Sequence, residues 1–183
     1  MKLQNKYAVG CHVMFYEIEI LTEYLNSLKI SLQGIENPKN VIVDLFFNIS
    51  EFFEEVDEES MSKKDLIKKF NTMCSEMTKL GVLVRSQVYD QNKPYCIADY
   101  RRDFNYKWCN MVDYLVWGES DCLLPSQMFG VLETIKDYAN QECGTRVGKY
   151  WNIQSLPINL IMIWTPKKIQ DLQQLHLGVL DTL

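Results

Sequence analysis

Two carboxylates placed two residues apart, Glu119 and Asp121, stand in the stretch WGESDCLLP (Trp117–Pro125) directly after an apolar run. In an extended segment residues i and i+2 project to the same side, so this spacing offers both carboxylates to one point. That is the arrangement a hard divalent cation needs. Two protein oxygens leave several octahedral positions for a diphosphate and water, the usual way in which Mg2+ or Mn2+ carries a nucleotide. The preceding VDYLVW (Val112–Trp117) reads as a strand, and open α/β sheets bind ligands just past the carboxyl ends of their strands. On the bland alternative, Gly118–Ser120 forms a turn and both carboxylates are simply solvated, since short motifs often arise by chance.

Other chemistry finds less support. The two histidines are His12 and His176, and His12, inside an apolar run, reads as a core histidine. A Cys11–His12 nucleophile is disfavoured because adjacent strand residues face opposite sides. Ser27, Ser120 and Ser126 lie in no GxSxG elbow, and neither a GxxxxGKS nor a GxGxxG phosphate loop occurs. The six cysteines, Cys11, Cys74, Cys96, Cys109, Cys122 and Cys143, form no CxxC pair and read as reduced thiols, which favours the cytoplasm.

The elements that must position the acidic pair alternate. Tyr7–Phe15 (YAVGCHVMF) reads as a buried strand of a parallel sheet. From Ile18, the residues Ile20, Leu21, Tyr24, Leu25 and Leu28 mark one face of a helix, closed by Gly34, Asn37 and Pro38. Val41–Phe47 is the second strand, completing a βαβ unit. Ser50–Ser62 is acidic and reads as a solvated loop or frayed helix. Ser62 as N-cap and Asp65 in the first turn open a helix through about Leu80, with Leu66, Phe70, Met73 and Met77 inward and Gly81 as its stop.

Val82–Tyr89 is a further strand, Tyr100–Met111 a helix, and Gln127–Asn140 another helix. Ile158–Trp164 is the last strand, followed by a weakly helical tail, Lys167–Leu183. The expected architecture is one α/β domain over residues 1–183, an open, mostly parallel sheet flanked by helices.

Charge and hydropathy narrow the function classes. With a net charge of −5 over 183 residues, a nucleic-acid surface spread over the whole molecule is disfavoured. The longest apolar run, Leu160–Trp164, is far short of the roughly 20 residues that span a bilayer. Neither a signal peptide nor a membrane span is expected, and oligomerisation is left open.

The passage DYLVWGESDCLLPSQMF resembles the segment of GT-A-type glycosyltransferases, above all the inverting family-2-like bacterial and viral enzymes, in which a strand leads into an Asp-x-Asp-type signature, apolar residues and proline. AVGCHVMFYEIEILTEYLNSL is similar to that family's first strand and helix, and VIVDLFFN stands where its second strand carries a base-binding acid. YRRDFNYKWCN resembles the Arg and Asn positions that precede the metal signature. The match runs from about Tyr7 to Met128. His12, Met14, Phe15 and Tyr16 replace the family's proline, threonine and asparagine, and Glu119 stands where Asp is commoner.

The resemblance implies a GT-A, Rossmann-like fold and a metal-dependent transferase that moves a sugar from a nucleoside diphosphate to an unknown acceptor. It further implies Mn2+ or Mg2+ on Glu119 and Asp121, a nucleoside pocket lined by Val13, Met14, Phe15 and Glu17, Asp44 on the base, and Arg101 or Arg102 on the diphosphate. Asp44 read by itself is equally a strand-end carboxylate, and the arginines a solvated helix face. The family's general base lies well downstream, and Glu133, Asp137, Glu142, Asp171 and Asp181 match none of its context. That mismatch raises the expectation of a form shortened at the C-terminus, or of a catalytically silent binding or structural protein on the same sheet. A nucleotidyltransferase using a similar acidic pair is the third reading.

Overall fold

The computed structural model describes residues 1–50 and 61–134 together with a strand at Met162–Trp164. In chain order the elements are β1 (Tyr7–Met14), α1 (Ile18–Ser31), β2 (Val41–Asn48), α2 (Lys63–Thr78), β3 (Leu83–Tyr89), α3 (Ile97–Trp108), β4 (Tyr114–Glu119), a helical stretch over residues 128–134 and β5 (Met162–Trp164). The acidic stretch 51–60, the part of the expected Gln127–Asn140 helix beyond residue 134, and the tail lie outside the described residues.

The sheet order is β3-β2-β1-β4-β5. β1 pairs in parallel with β2 and β4, β2 pairs in parallel with β3, and β5 joins β4 antiparallel. The fold is therefore α/β and Rossmann-like, with a mostly parallel sheet covered by helices. β1 is central and buried along nearly its whole length, which is why YAVGCHVM reads as an unbroken apolar run rather than an alternating one.

Strand alternation divides the core in two. Tyr7, Val9, Cys11 and Val13 pack with Val43, Leu45 and Phe47 beneath α1, α2 and the 128–134 helix. On the opposite face Ala8, Phe46, Leu115 and Trp117 pack against Tyr100, Phe104 and Trp108 of α3. Ser62 caps α2 by accepting from the Asp65 amide at 3.2 Å, and Gly81, at φ +84°, ends the turn that follows the helix.

Two elements, α3 and β4, are shifted from expectation. α3 starts at Ile97 rather than Tyr100, because Asp99 accepts from the Cys96 amide at 3.1 Å and fixes the helix start there. β4 runs from Tyr114 through Glu119 instead of ending at Trp117, since Gly118 continues the ladder opposite Cys11 while the Tyr24 ring lies directly over it.

α3 lies tight on β1 because Gly10 has no side chain: a Cβ there would stand 2.6 Å from both Phe104 Cε2 and the Tyr100 hydroxyl. Those rings are buried and cannot retreat freely. Gly10→Ala is expected to lower unfolding free energy by about 1–3 kcal/mol through overpacking, read from the midpoint of urea denaturation at unchanged m-value.

Candidate functional site

β1 leads through α1 into β2 on one side, whereas the chain enters β4 on the other side of β1, so the strand order reverses between β1 and β4. Helical connections leaving in opposite directions open a crevice at the carboxyl ends of such a strand pair. A cavity of about 380 Å3 lies at this point. Its walls come from the end of β1 and the turn beyond it (His12, Met14, Tyr16, Glu17), from the end of β4 (Glu119, Ser120, Asp121), and from the approach to α3 (Pro94, Tyr95, Cys96, Ile97).

Glu119 is the last residue of β4 and pairs in register with His12. The chain then turns, with the Cys122 amide donating to the Glu119 carbonyl at 3.0 Å. This turn gathers the Glu119 and Asp121 carboxylates and the Cys122 thiol so that one ligand atom from each lies within 4.8 Å of the others. The expected convergence is thus present, though produced by a turn rather than by an extended strand. Ligands opposed across one divalent ion at about 2.1–2.4 Å stand about 4.2–4.8 Å apart and neighbouring ones about 3–3.4 Å, so carboxylates within 4.8 Å of each other can share a divalent cation. The oxygens suit Mn2+ or Mg2+. Burial and the neighbouring Asp121 push the Cys122 thiol up to about 11, so near pH 7 it keeps its proton, donates a hydrogen bond to Asp121 Oδ1 at 3.5 Å and is not itself a metal ligand.

Arg101 reaches the same point. Its guanidinium donates to Glu119 Oε1, and its Cζ lies 5.4 Å from the centroid of the Trp117 ring, a cation–π shelf. The side chains of Arg101 and Glu119 are 25% and 43% exposed, so the pair sits at the mouth of the site. Arg102 points elsewhere, bonded to Asp99 at 2.9 Å and Asp103 at 3.1 Å on the solvent side of α3.

Of the residues expected around a nucleoside, Met14 and Glu17 line the cavity, and Glu17 accepts from the Met14 amide at 2.8 Å. Val13 and Phe15 do not. Val13 faces the α1 side and is buried in that core, and Phe15 packs against the same cluster. Asp44 also departs from expectation. It stands in mid-strand opposite Gly10, four residues before the end of β2, and is fully enclosed. Its carboxylate accepts from Trp108 Nε1 at 2.7 Å and Arg85 Nη1 at 2.9 Å, and its carbonyl accepts from the Tyr100 hydroxyl at 3.0 Å. Asp44 is a tie between sheet and α3, out of reach of a ligand in the cavity.

His12, expected in the core, has a double position. It is 7% exposed and stacks on Phe46 at 5.6 Å, yet it lines the cavity, and its Nε2 has no hydrogen-bond partner among the described residues. Leaving such a group unpaired costs about 1–3 kcal/mol, a penalty characteristic of sites that hold a polar ligand. Burial, and then the nearby Arg101, lower its pKa, so the ring is neutral near pH 7. Glu133 lies at the opposite end of the sheet, accepting from the Gln4 and Asn5 amides and the Tyr7 hydroxyl, and is no general base for this cavity.

Sequence reasoning missed Tyr16, Tyr95, Cys96, Ile97, Ser120 and Cys122. The available signal was the Cys96-x-x-Asp99 spacing, a capping pattern that moves the start of α3, and with it Cys96 and Ile97, to the cavity.

No protein-family model matches the chain, and no curated protein matches it. Among solved structures it is similar to a cytidylyltransferase from Leptospira borgpetersenii serovar Hardjo-bovis (strain JB197), with TM-score 0.45 and 14% identity over 92% of this chain and 64% of that one. It is also similar to S. aureus TarS 1-349 in complex with UDP-GlcNAc, with TM-score 0.42 and 13% identity over 79% of this chain and 37% of that one. A second structure of TarS 1-349 gives TM-score 0.40 and 14% identity, covering 79% of this chain and 39% of that one. The chain thus spans less than two thirds of each of these proteins. Among the described residues no helix is long and apolar enough to cross a membrane, and Cys11, Cys74, Cys96, Cys109 and Cys122 are free thiols.

Two outcomes test these assignments. Asp44→Ala strips Trp108 and Arg85 of their acceptor. Removing one member of a buried pair costs about 3–5 kcal/mol, reduced here to about 2–3 because the Arg85 side chain is 36% exposed; chemical denaturation measures it.

His12 binds its proton more readily unfolded than folded, so its contribution to stability is complete above about pH 6.5 and declines as pH falls through that value. The stability of the wild type relative to His12→Gln is therefore expected to fall between pH 7 and 5, as followed by urea titrations at each pH.

Proposed function

We propose that the protein binds a nucleoside diphosphate sugar through a divalent cation and transfers the sugar to an acceptor. The observation that carries this reading is the Glu119–Asp121–Cys122 cluster at the mouth of a cavity on the β1/β4 reversal, with a guanidinium beside it. Glu119 and Asp121 would hold Mn2+ or Mg2+, and the cation would neutralise charge on the departing diphosphate. Met14, Glu17, Tyr16 and Tyr95 would bound the space for the organic part of the donor, and His12 offers a neutral ring edge to a polar group of it.

A binding module without turnover is the second reading. Glu133, the nearest downstream acid, is engaged at the far end of the sheet, and the carboxylates lining the cavity are Glu17, Glu119 and Asp121. Glu17 is engaged with the β1 end, and the other two would be engaged with the cation, which leaves no separate carboxylate base in the lining of the cavity. Transfer to water, read as free sugar and nucleoside diphosphate released over time, separates the two readings, and pyrophosphate released from a nucleoside triphosphate would instead mark a nucleotidyltransferase.

Thermal shift and calorimetry against a panel of nucleoside diphosphate sugars, with and without Mn2+, test the binding step, because a ligand that prefers the folded state raises its stability. A Mn2+-dependent shift is expected for at least one donor. Asp121→Ala should weaken that binding at least about tenfold, since even partners outside the ligand shell are commonly worth about 10–100-fold. Binding that ignores both Mn2+ and Asp121→Ala would sink the proposal.

A further inference from the structure

Arg101 and an incoming cation contend for one carboxylate. The guanidinium donates to Glu119 Oε1, and Glu119 is also one of the three residues whose ligand atoms converge. A metal on the same carboxylate brings a second positive charge next to the guanidinium, so the two compete for it. Arg101 has somewhere to go: it is a quarter exposed, and its flat cationic head lies over the Trp117 ring rather than in a closed cage. Its neighbour in sequence, Arg102, is held by Asp99 and Asp103 and makes no contact with Glu119. Independently of the acidic cluster, His12 lines the same cavity, buried and with its Nε2 unpartnered among the described residues, and an orphaned polar group of this kind points to a polar ligand there.

We infer that Arg101 is a built-in counter-ion of the site: it occupies Glu119 in the free protein, yields it to the cation, and transfers its own charge to the anionic group that arrives with the metal. The inference rests on the cation-carrying reading above and adds a coupling to it. Without the anion, metal binding breaks an ion pair and leaves two positive charges side by side. With the anion, the released guanidinium gains two acceptor oxygens of matching geometry. Cation and diphosphate therefore bind far better together than either does alone, and a stray metal ion without a diphosphate is rejected. Coupling of this kind between two ligands commonly amounts to about 5–150-fold, and it is reciprocal.

The test measures Mn2+ binding alone, by calorimetry and by the loss of the free-Mn2+ spin signal, and then again with inorganic pyrophosphate present. Arg101→Gln is expected to bind Mn2+ alone at least about fivefold more tightly than the wild type, and to gain at least about fivefold less affinity when pyrophosphate is added. Arg102→Gln removes the same charge from the next residue and is expected to match the wild type in both respects, which separates a local exchange from a change in net charge. Arg101→Lys keeps a point charge without the fork and is expected to fall between the wild type and Arg101→Gln; it serves alone if the Gln variant does not fold.

Equal or weaker Mn2+ binding by Arg101→Gln, or by Arg101→Lys where only that variant folds, overturns the counter-ion role while leaving the cation site in place. An equal gain in Arg102→Gln also overturns it. If Mn2+ binds neither the wild type nor the Arg101 variants, with or without pyrophosphate, the cation site itself falls.

Discussion

The fully enclosed carboxylate of Asp44 is the constraint on which the rest of the structure depends. It sits in the middle of β2 and takes hydrogen bonds from Trp108 of α3 and Arg85 of β3, while its carbonyl takes one from Tyr100. One residue thereby ties the helix to the sheet at two points, beside the Trp117 indole N–H donated to Asn105 Oδ1 at 3.1 Å and the Arg101–Glu119 pair nearer the cavity. Burying a carboxylate this deeply is seldom a net gain over packed hydrocarbon, but leaving it without its donors is expensive. The network specifies one placement of α3 among the several that a layer of aromatic rings would tolerate. Gly10 lets that placement be close.

The α3 side of the cavity inherits its position from this tie. α3 carries Arg101 to Glu119, and the start of the same helix brings Cys96 and Ile97 to the opposite wall. The other wall is made by β1 and β4, adjacent parallel strands whose connections depart in different directions. The crevice is a product of topology, and the side chains around it decide what it holds. Its polar groups are not neutralised evenly: Glu119 has a partner, His12 Nε2 has none among the described residues, and the Cys122 thiol keeps its proton.

The parts legible in the sequence were those encoded locally. The first strand, the helix after it, the Ser62–Asp65 cap and the Gly81 stop depend on neighbours within a few residues, and the structure places each where its pattern predicts. The spacing of Glu119 and Asp121 likewise announced a cluster. What failed depended on distance. The partners of Asp44 lie 41 and 64 residues away, so no local pattern could show that the acid is consumed internally. Gly118 looked like a strand breaker because the covering Tyr24 ring comes from a remote helix, and Cys96 is not one of the usual capping residue types. His12 is the buried residue its apolar surroundings predict; what they could not show is that a ring so nearly enclosed also forms part of a cavity wall.

β5 pairs antiparallel with Leu115, Val116 and Trp117, so along that stretch β4 is flanked on both edges, by β5 on one side and by β1 on the other. The strand that carries Glu119 is thus an inner strand of the sheet at its root, and shifting it would break two ladders at once. Because those bonds are made by backbone, they are indifferent to the side chains of the acidic turn, and the turn's chemistry can be altered residue by residue while its footing stays where it is.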